Sequence, residues 1–133
     1  MSTHAQIAFC DKTTLEIASI YCHFNGYLGG IGKVLLEHWS DPAKLRKLIA
    51  QGGLTGLGKS LRSTEYFSAH IEQRKFASIG EWFEKEHEEY MYLFLEETKT
   101  WLVRSPRLSD TVLIPLTPEL IEYSKQNNLN DGL

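Results

Sequence analysis

The stretch that decides the fold is Glu89-Tyr90-Met91-Tyr92-Leu93-Phe94-Leu95, which is the strongest strand signal in the chain. Its aromatic residues alternate with Met91, Leu93 and Leu95, so a strand here has large apolar side chains on both faces. Strands that are apolar on both faces are typical of the middle of a sheet. A polar turn at residues 96–99 and a second apolar segment at residues 100–104 predict its hairpin partner.

The N-terminal part of the chain predicts a second hairpin. Residues 5–9 and 15–23 are rich in β-branched and aromatic residues, and a polar turn at residues 11–14 separates them. Two further strands are expected at residues 65–71 and 112–114.

Helical signals lie between these strands. Apolar residues from Ile31 to Trp39 fall at helical spacing, and Asp41-Pro42 begins a second helix that Gly52 ends. A capping box at residues 78–81 begins a third helix, and Thr117-Pro118 begins a fourth that ends near residue 127. Strands mostly adjoin strands and helices adjoin helices, which predicts one α+β domain over residues 1–133. We expect an antiparallel sheet of about five strands, with helices packed mainly on one face.

Composition excludes several classes of protein. The chain has 133 residues and a net charge of −3, which argues against a general nucleic-acid binder. It has no apolar run of 18 residues and no signal-peptide pattern, so we expect no membrane partner and a location in the cytoplasm. Cys10 and Cys22 would not face each other in the first hairpin, so both are expected to be buried free thiols. The usual metal-ligand spacings do not occur, and we expect no metal and no cofactor.

Residues 53–60 match the phosphate-loop pattern G-x-x-x-x-G-K-[ST], with Lys59 and Ser60 in the last two positions. A true phosphate loop follows a buried strand and opens a helix. Here residues 45–51 have a helical period, and residues 60–65 have no sustained helical stripe. We therefore interpret the match as the end of a helix at Gly52 followed by a turn anchored by leucines.

The glycine-rich stretch from His23 to Gly32 allows two interpretations. Glycines before a helix can present backbone N–H groups to an anion. In that case the ligand-binding residues are those of one short segment: His23, Asn25, Gly26, Tyr27, Gly30 and Gly32. In the other interpretation, the glycines let the chain turn tightly from the sheet onto the helix layer.

Three parts of the chain carry a resemblance to a known family: Ile20-Tyr21-Cys22-His23-Phe24-Asn25-Gly26-Tyr27, then Asp41-Pro42, and then the strand at residues 89–94. In these parts the chain resembles a family of small proteins from phages, prophages and bacterial genomes. In that family a strand ends in a His-(Trp/Phe)-Asp-Gly-Tyr motif and two helices follow. The resemblance covers about residues 17–104. It implies a phage or mobile-element setting, and the family has no assigned activity. Asn25 stands where the family commonly has Asp, which weakens the case for a carboxylate base or a cation ligand at this position.

Charge is divided unevenly along the chain. Residues 33–62 hold six basic and two acidic residues, whereas residues 65–97 hold three basic and nine acidic ones. The acidic run could form an interaction face for a basic partner, made by Glu84, Glu86, Glu88 and Glu89. The more common interpretation of such a run is the solvated end of a helix.

No nucleophile set stands out in the sequence, so no catalytic residue is predicted. We expect a non-enzymatic binding protein, encoded by a phage or mobile element, that inhibits a host macromolecule such as a defence nuclease. Its partner would be a host or phage protein, alone or within a nucleoprotein complex, and direct sequence-specific binding of nucleic acid is not expected. The alternative is a protein that binds a small anionic ligand or a nucleotide through the loop at residues 24–32. The sequence selects no oligomeric state.

Overall fold

The chain folds into a mixed β-sheet with α-helices on both faces. The structure, a computed structural model, describes residues 3–106 and 108–127. The strands are β1 (Ala5–Cys10), β2 (Ile17–Cys22), β3 (Leu54–Gly56), β4 (Glu65–Tyr66), β5 (Arg74–Phe76), β6 (Tyr90–Leu95), β7 (Thr100–Ser105) and β8 (Ser109–Pro115). The helices are α1 (Lys33–His38), α2 (Pro42–Gln51), α3 (Ile79–Lys85) and α4 (Pro118–Gln126), and a π turn (Leu28–Gly32) leads directly into α1.

The strands lie in the order β4-β3-β2-β1-β6-β7-β8. β1 is antiparallel to β2, with Ala5 opposite Cys22, and parallel to β6, with Ala5 opposite Tyr90. The outer edge of β2 is shared, because β3 pairs in parallel at Cys22 while β5 pairs antiparallel at residues 17–19. The two hairpins expected from the sequence, β1–β2 and β6–β7, are confirmed.

The α+β class is confirmed, but the prediction of an antiparallel sheet of about five strands is wrong. Within the part of the chain that the structure describes, the sheet has eight strands, and two of its pairings are parallel. The strand expected at residues 65–71 is limited to Glu65–Tyr66, and β5 was missed. Alternating hydrophobicity carries no information on strand direction. Strands of two or three residues are defined by their partners rather than by a side-chain pattern.

The two faces of the sheet are covered unequally. Buried residues of α1, α2 and α4 pack with Tyr90, Tyr92 and Phe94 in the larger core cluster. Trp82 of α3 packs with Met91 and Leu93 in a smaller cluster on the opposite face. The central position and two-faced packing expected of the residue 89–95 stretch are therefore confirmed.

Side chains begin the helices as the sequence predicted. The Asp41 carboxylate accepts a hydrogen bond from the Ala43 N–H, and the Ser78 hydroxyl accepts one from the Glu81 N–H (3.1 Å). The Thr117 hydroxyl accepts one from the Leu120 N–H (3.1 Å). Gly52 ends α2 with a φ of +90°, a conformation that side-chain-bearing residues rarely adopt.

Both cysteines are free and buried, as expected. Cys10 lies opposite Ile17 and Cys22 opposite Ala5, and the two side chains belong to different core clusters. Burial raises the pKa of the Cys22 thiol to about 12. None of the helices that the structure describes is long and apolar enough to cross a membrane.

Candidate functional site

The segment that resembles a phosphate loop lies in a different context from that of a nucleotide site. It follows helix α2, contains the three-residue strand β3 and leads into a turn. The Gly58 N–H donates to the Thr64 hydroxyl (3.1 Å), and Lys59 is exposed. Leu57 packs against the larger core cluster. The helix end at Gly52 and the packing of Leu57 are confirmed, but the segment expected to be a turn contains strand β3.

The glycine-rich loop uses its backbone N–H groups within the protein. Those of Gly30 and Gly32 donate to the Tyr27 carbonyl (3.0 and 3.4 Å). The Ile31 N–H donates to the Asn25 carbonyl (2.9 Å), and the Gly26 N–H donates to the Thr3 carbonyl (2.8 Å). These four donors are therefore engaged inside the fold rather than directed at a ligand.

Glycine is required in this loop because the chain passes very close to its neighbours. A Cβ atom on Gly30 would lie 2.5 Å from the Asn25 carbonyl oxygen, and one on Gly26 would lie 2.8 Å from the Thr3 carbonyl oxygen. Asn25 itself has a φ of +62°, a left-handed conformation that asparagine tolerates better than most residues. The loop is thus a tightly closed turn, and π turns of this kind often occur at functional sites.

Tyr92 of the central strand holds this loop from the core side. Its side chain is fully buried, and its hydroxyl donates to the Gly26 carbonyl (2.7 Å). Burial also raises the pKa of this phenol well above its ordinary value, so Tyr92 stays protonated as a donor. A Cβ atom on Gly32 would lie 3.1 Å from the same hydroxyl oxygen.

Replacing Tyr92 with phenylalanine is expected to lower the free energy of unfolding by about 1–3 kcal/mol, because it leaves the buried Gly26 carbonyl without its donor. Urea denaturation followed by circular dichroism measures the change. Tyr123→Phe is the matched control, since the Tyr123 side chain is 53% exposed. Equal stability of the two variants would show that the Tyr92 hydrogen bond contributes nothing.

A cleft of about 300 Å³ opens between the glycine-rich loop and the β3–β4 segment. Residues from both glycine-rich stretches line it, so two sequence features that lie about 25 residues apart meet at one site. Its polar and aromatic lining is contributed by Phe24, Asn25, Tyr27, Ser63 and Glu65. Gly56 lies close to the Glu65 carboxylate. A Cβ atom on Gly56 would be 3.5 Å from Glu65 Oε1.

A cluster of aromatic rings adjoins this cleft, and Phe24 belongs to both. The hairpin pairing brings His4 and His23 together, with ring centroids 4.6 Å apart and the rings stacked. The Tyr21 hydroxyl oxygen lies 2.8 Å from His23 Nδ1, and the Phe24 ring meets the His23 ring edge-on at 4.5 Å. Phe67 stacks on Tyr21 at 6.1 Å. The aromatic cluster therefore consists of His4, Tyr21, His23, Phe24 and Phe67.

Glu88 adds a carboxylate near this cluster. Burial raises the pKa of Glu88 above its usual range, and the neighbouring carboxylates of Glu86 and Glu89 act in the same direction, while His4 opposes them. The pKa of Tyr21 is raised, first by burial and then by the negative charge of Glu88. The sequence did not predict His4, Tyr21 or Phe67 as residues of the site. Of these, Tyr21 carried a signal, because it lies two residues before His23 and so on the same strand face.

The acidic run does not form one solvated face. Glu84 and Glu89 are exposed, but Glu86 is buried and forms an ion pair with Arg74, and Glu88 is half-buried. A free interaction face can use Glu84 and Glu89 directly, whereas Glu86 is already neutralised inside the protein.

The six residues expected to bind a ligand divide into three groups. Asn25, Tyr27 and Gly30 line the cleft. Gly26 and Gly32 are buried beside Tyr92, and His23 is a member of the aromatic cluster. Across residues 3–106 and 108–127, no group of three or more His, Cys, Asp or Glu side chains could hold a metal ion.

Comparison with known proteins adds no further assignment to this site. No protein-family model, no curated protein and no solved structure matches the chain.

Proposed function

We propose that this chain is a non-enzymatic binding protein that docks on a partner protein through the surface formed by Phe24, Asn25, Tyr27 and Glu65, here called the Phe24 surface. The observation that carries the proposal is the exposure of Phe24. Its ring is 45% exposed, although it lies at the rim of a cleft and next to a polar aromatic cluster. Aromatic side chains that remain partly exposed beside a concave site are typical anchors of protein interfaces.

The backbone beneath Phe24 supports this role because it is held in place before binding. The Phe24 N–H donates to the Thr55 carbonyl (3.0 Å), and the His23 N–H donates to the Leu54 carbonyl (3.0 Å). The Phe24 ring rests edge-on against His23, which itself contacts Tyr21 and His4. An anchor that is already ordered loses less conformational entropy on binding than a mobile one.

The setting of this function comes from the family resemblance of residues 17–104. It supports an origin in a phage or mobile element. We propose that the protein acts in the host cytoplasm on a host or phage protein, and that it does so by inhibiting a defence nuclease. The excess of acidic residues in the second half of the chain favours a partner with a basic surface. Defence nucleases have such surfaces, since they bind nucleic acid.

The alternative function, binding of a small anion or a nucleotide by the glycine-rich loop, has less support. Four N–H groups of the loop are already engaged. The described residues that line the cleft include neither lysine nor arginine. A carboxylate at Glu65 would also repel an anion.

Affinity capture from a lysate of the host cell, with identification by mass spectrometry, tests the proposed function. We expect wild-type protein to retain a specific partner, and Phe24→Ser to lose at least ten-fold in affinity for it, which corresponds to about 1.4 kcal/mol. Tyr123→Ser is the control, because Tyr123 is an exposed aromatic residue on α4 and away from the cleft. A partner that binds Phe24→Ser as tightly as wild type would refute the assignment of this surface. Failure of wild type to retain any specific partner would refute the function.

A further inference from the structure

We infer that the cleft beside Phe24 binds the guanidinium group of one arginine side chain of the partner. This inference rests on the proposed function and names the chemical group that the Phe24 surface recognises. It is carried by the charge, the aromatic rings and the size of the cleft.

The charge of the cleft favours a cation. Among the described lining residues, Glu65 is the one with a charged side chain. Its carboxylate forms no ion pair within the described part of the chain, unlike the buried Glu86 or the Asp11 and Glu96 carboxylates that share Arg46. Glu65 is exposed at the cleft, so its unneutralised carboxylate is accessible to a positive group and attracts it.

The rest of the lining also suits a guanidinium group. Phe24 and Tyr27 supply aromatic rings, which attract cations and on which the flat guanidinium group can stack. Asn25 supplies a side-chain oxygen that can accept its N–H groups, whereas the Ser63 hydroxyl already accepts the Ser60 N–H (3.1 Å). Arginine carries five such donors in a fixed plane, so it can bond to a carboxylate and to a neighbouring acceptor at once.

The volume of the cleft limits the size of the group that it can bind. At about 300 Å³, the cleft lies at the lower end of the range for small-molecule pockets. It can accept one long side chain. The absence of side chains at Gly29, Gly30 and Gly56 leaves the space that such a chain would fill.

The inference is tested with N-acetyl-arginine-N-methylamide, titrated into isotope-labelled protein and followed by amide chemical shifts. The matched probe is the citrulline derivative, which has nearly the same shape but no charge. We expect saturable shifts in the cleft segments, residues 24–31 and 56–65, with millimolar affinity for arginine. The citrulline derivative should bind wild-type protein about five-fold or more weakly than the arginine derivative does. The arginine derivative should bind Glu65→Gln more weakly than wild type by a similar factor. Glu72→Gln, which removes an exposed carboxylate outside the cleft, should leave this binding unchanged.

The outcomes separate this inference from the proposed function. Equal binding of arginine and citrulline, shifts outside the cleft, or no effect of Glu65→Gln would each overturn the arginine site. The proposed function would still stand if Phe24→Ser loses the captured partner. Conversely, specific arginine binding in a protein that retains no partner would support the site and count against the docking function.

Discussion

Replacing Trp82 with alanine is expected to lower the free energy of unfolding by about 3–5 kcal/mol, because it removes the largest side chain of the smaller core cluster. Trp82 is fully buried and anchors α3 to the sheet, with Ile79 and Phe83 packed against the same cluster. Domains of this size are stable by only about 5–15 kcal/mol, so this single change removes a large part of the total. Chemical denaturation followed by far-ultraviolet circular dichroism measures the loss without depending on tryptophan fluorescence.

Part of this cost comes from a buried hydrogen-bond chain. Trp82 Nε1 donates to the Ser19 hydroxyl (2.9 Å), which donates to the Gln6 side-chain carbonyl (2.7 Å). Trp82→Phe keeps most of the apolar volume but removes the N–H donor and part of the ring, so a loss of about 1–3 kcal/mol is expected. The control is Glu84→Ala, which changes an exposed residue of the same helix. If Trp82→Ala unfolds within about 1 kcal/mol of Glu84→Ala, the smaller cluster does not stabilise the fold as described.

Replacing Gly30 with alanine is expected to cost about 1–3 kcal/mol, because the added methyl group would lie 2.5 Å from the Asn25 carbonyl oxygen. That oxygen accepts the Ile31 N–H, and Asn25 is already in the left-handed region. The clash therefore falls on a backbone atom that cannot turn aside as a flexible side chain would. Any movement of Asn25 also changes the cleft, so arginine binding should fall together with stability.

Gly80→Ala is the matched control for this substitution. Gly80 lies in α3, and the nearest neighbour of an added Cβ atom would be the Ser78 hydroxyl oxygen at 3.8 Å, an ordinary contact. Alanine favours the helix, so we expect Gly80→Ala to be neutral or to stabilise by up to about 1 kcal/mol. Both free energies come from the same urea titrations. Similar values for Gly30→Ala and Gly80→Ala would mean that the loop tolerates a side chain and is not tightly closed.

Local signals predicted the elements that local chemistry controls. Helix starts at Asp41, Ser78 and Thr117 were correct, because a capping side chain bonds within three residues of its own position. The two hairpins were correct for a similar reason, since a short polar turn fixes the pairing of the strands on either side. Strands β3, β4 and β5 were missed or wrongly bounded, because their two or three residues are held in the sheet by partners that lie far away in sequence.

The candidate site was predicted in part. The loop from His23 to Gly32 was identified by its glycines, and three of its residues do line the cleft. The contribution of Ser63 and Glu65 could not be foreseen, because the parallel pairing of β3 with β2 is what brings the second glycine-rich stretch to the first. That pairing also brings the Glu65 carboxylate to a loop for which anion binding was one of two interpretations.

By itself, the sequence determined the α+β class, the central place of the residue 89–95 strand, the helix starts and the buried free cysteines. Each of these depends on the size, polarity or capping chemistry of neighbouring residues. Only the tertiary structure decided the parallel pairing of β1 with β6, the stacking of His4 on His23 and the joining of two glycine-rich stretches around Glu65. Those features depend on which distant segments pair and in which direction, and the alternation of side chains along a strand is the same for either direction.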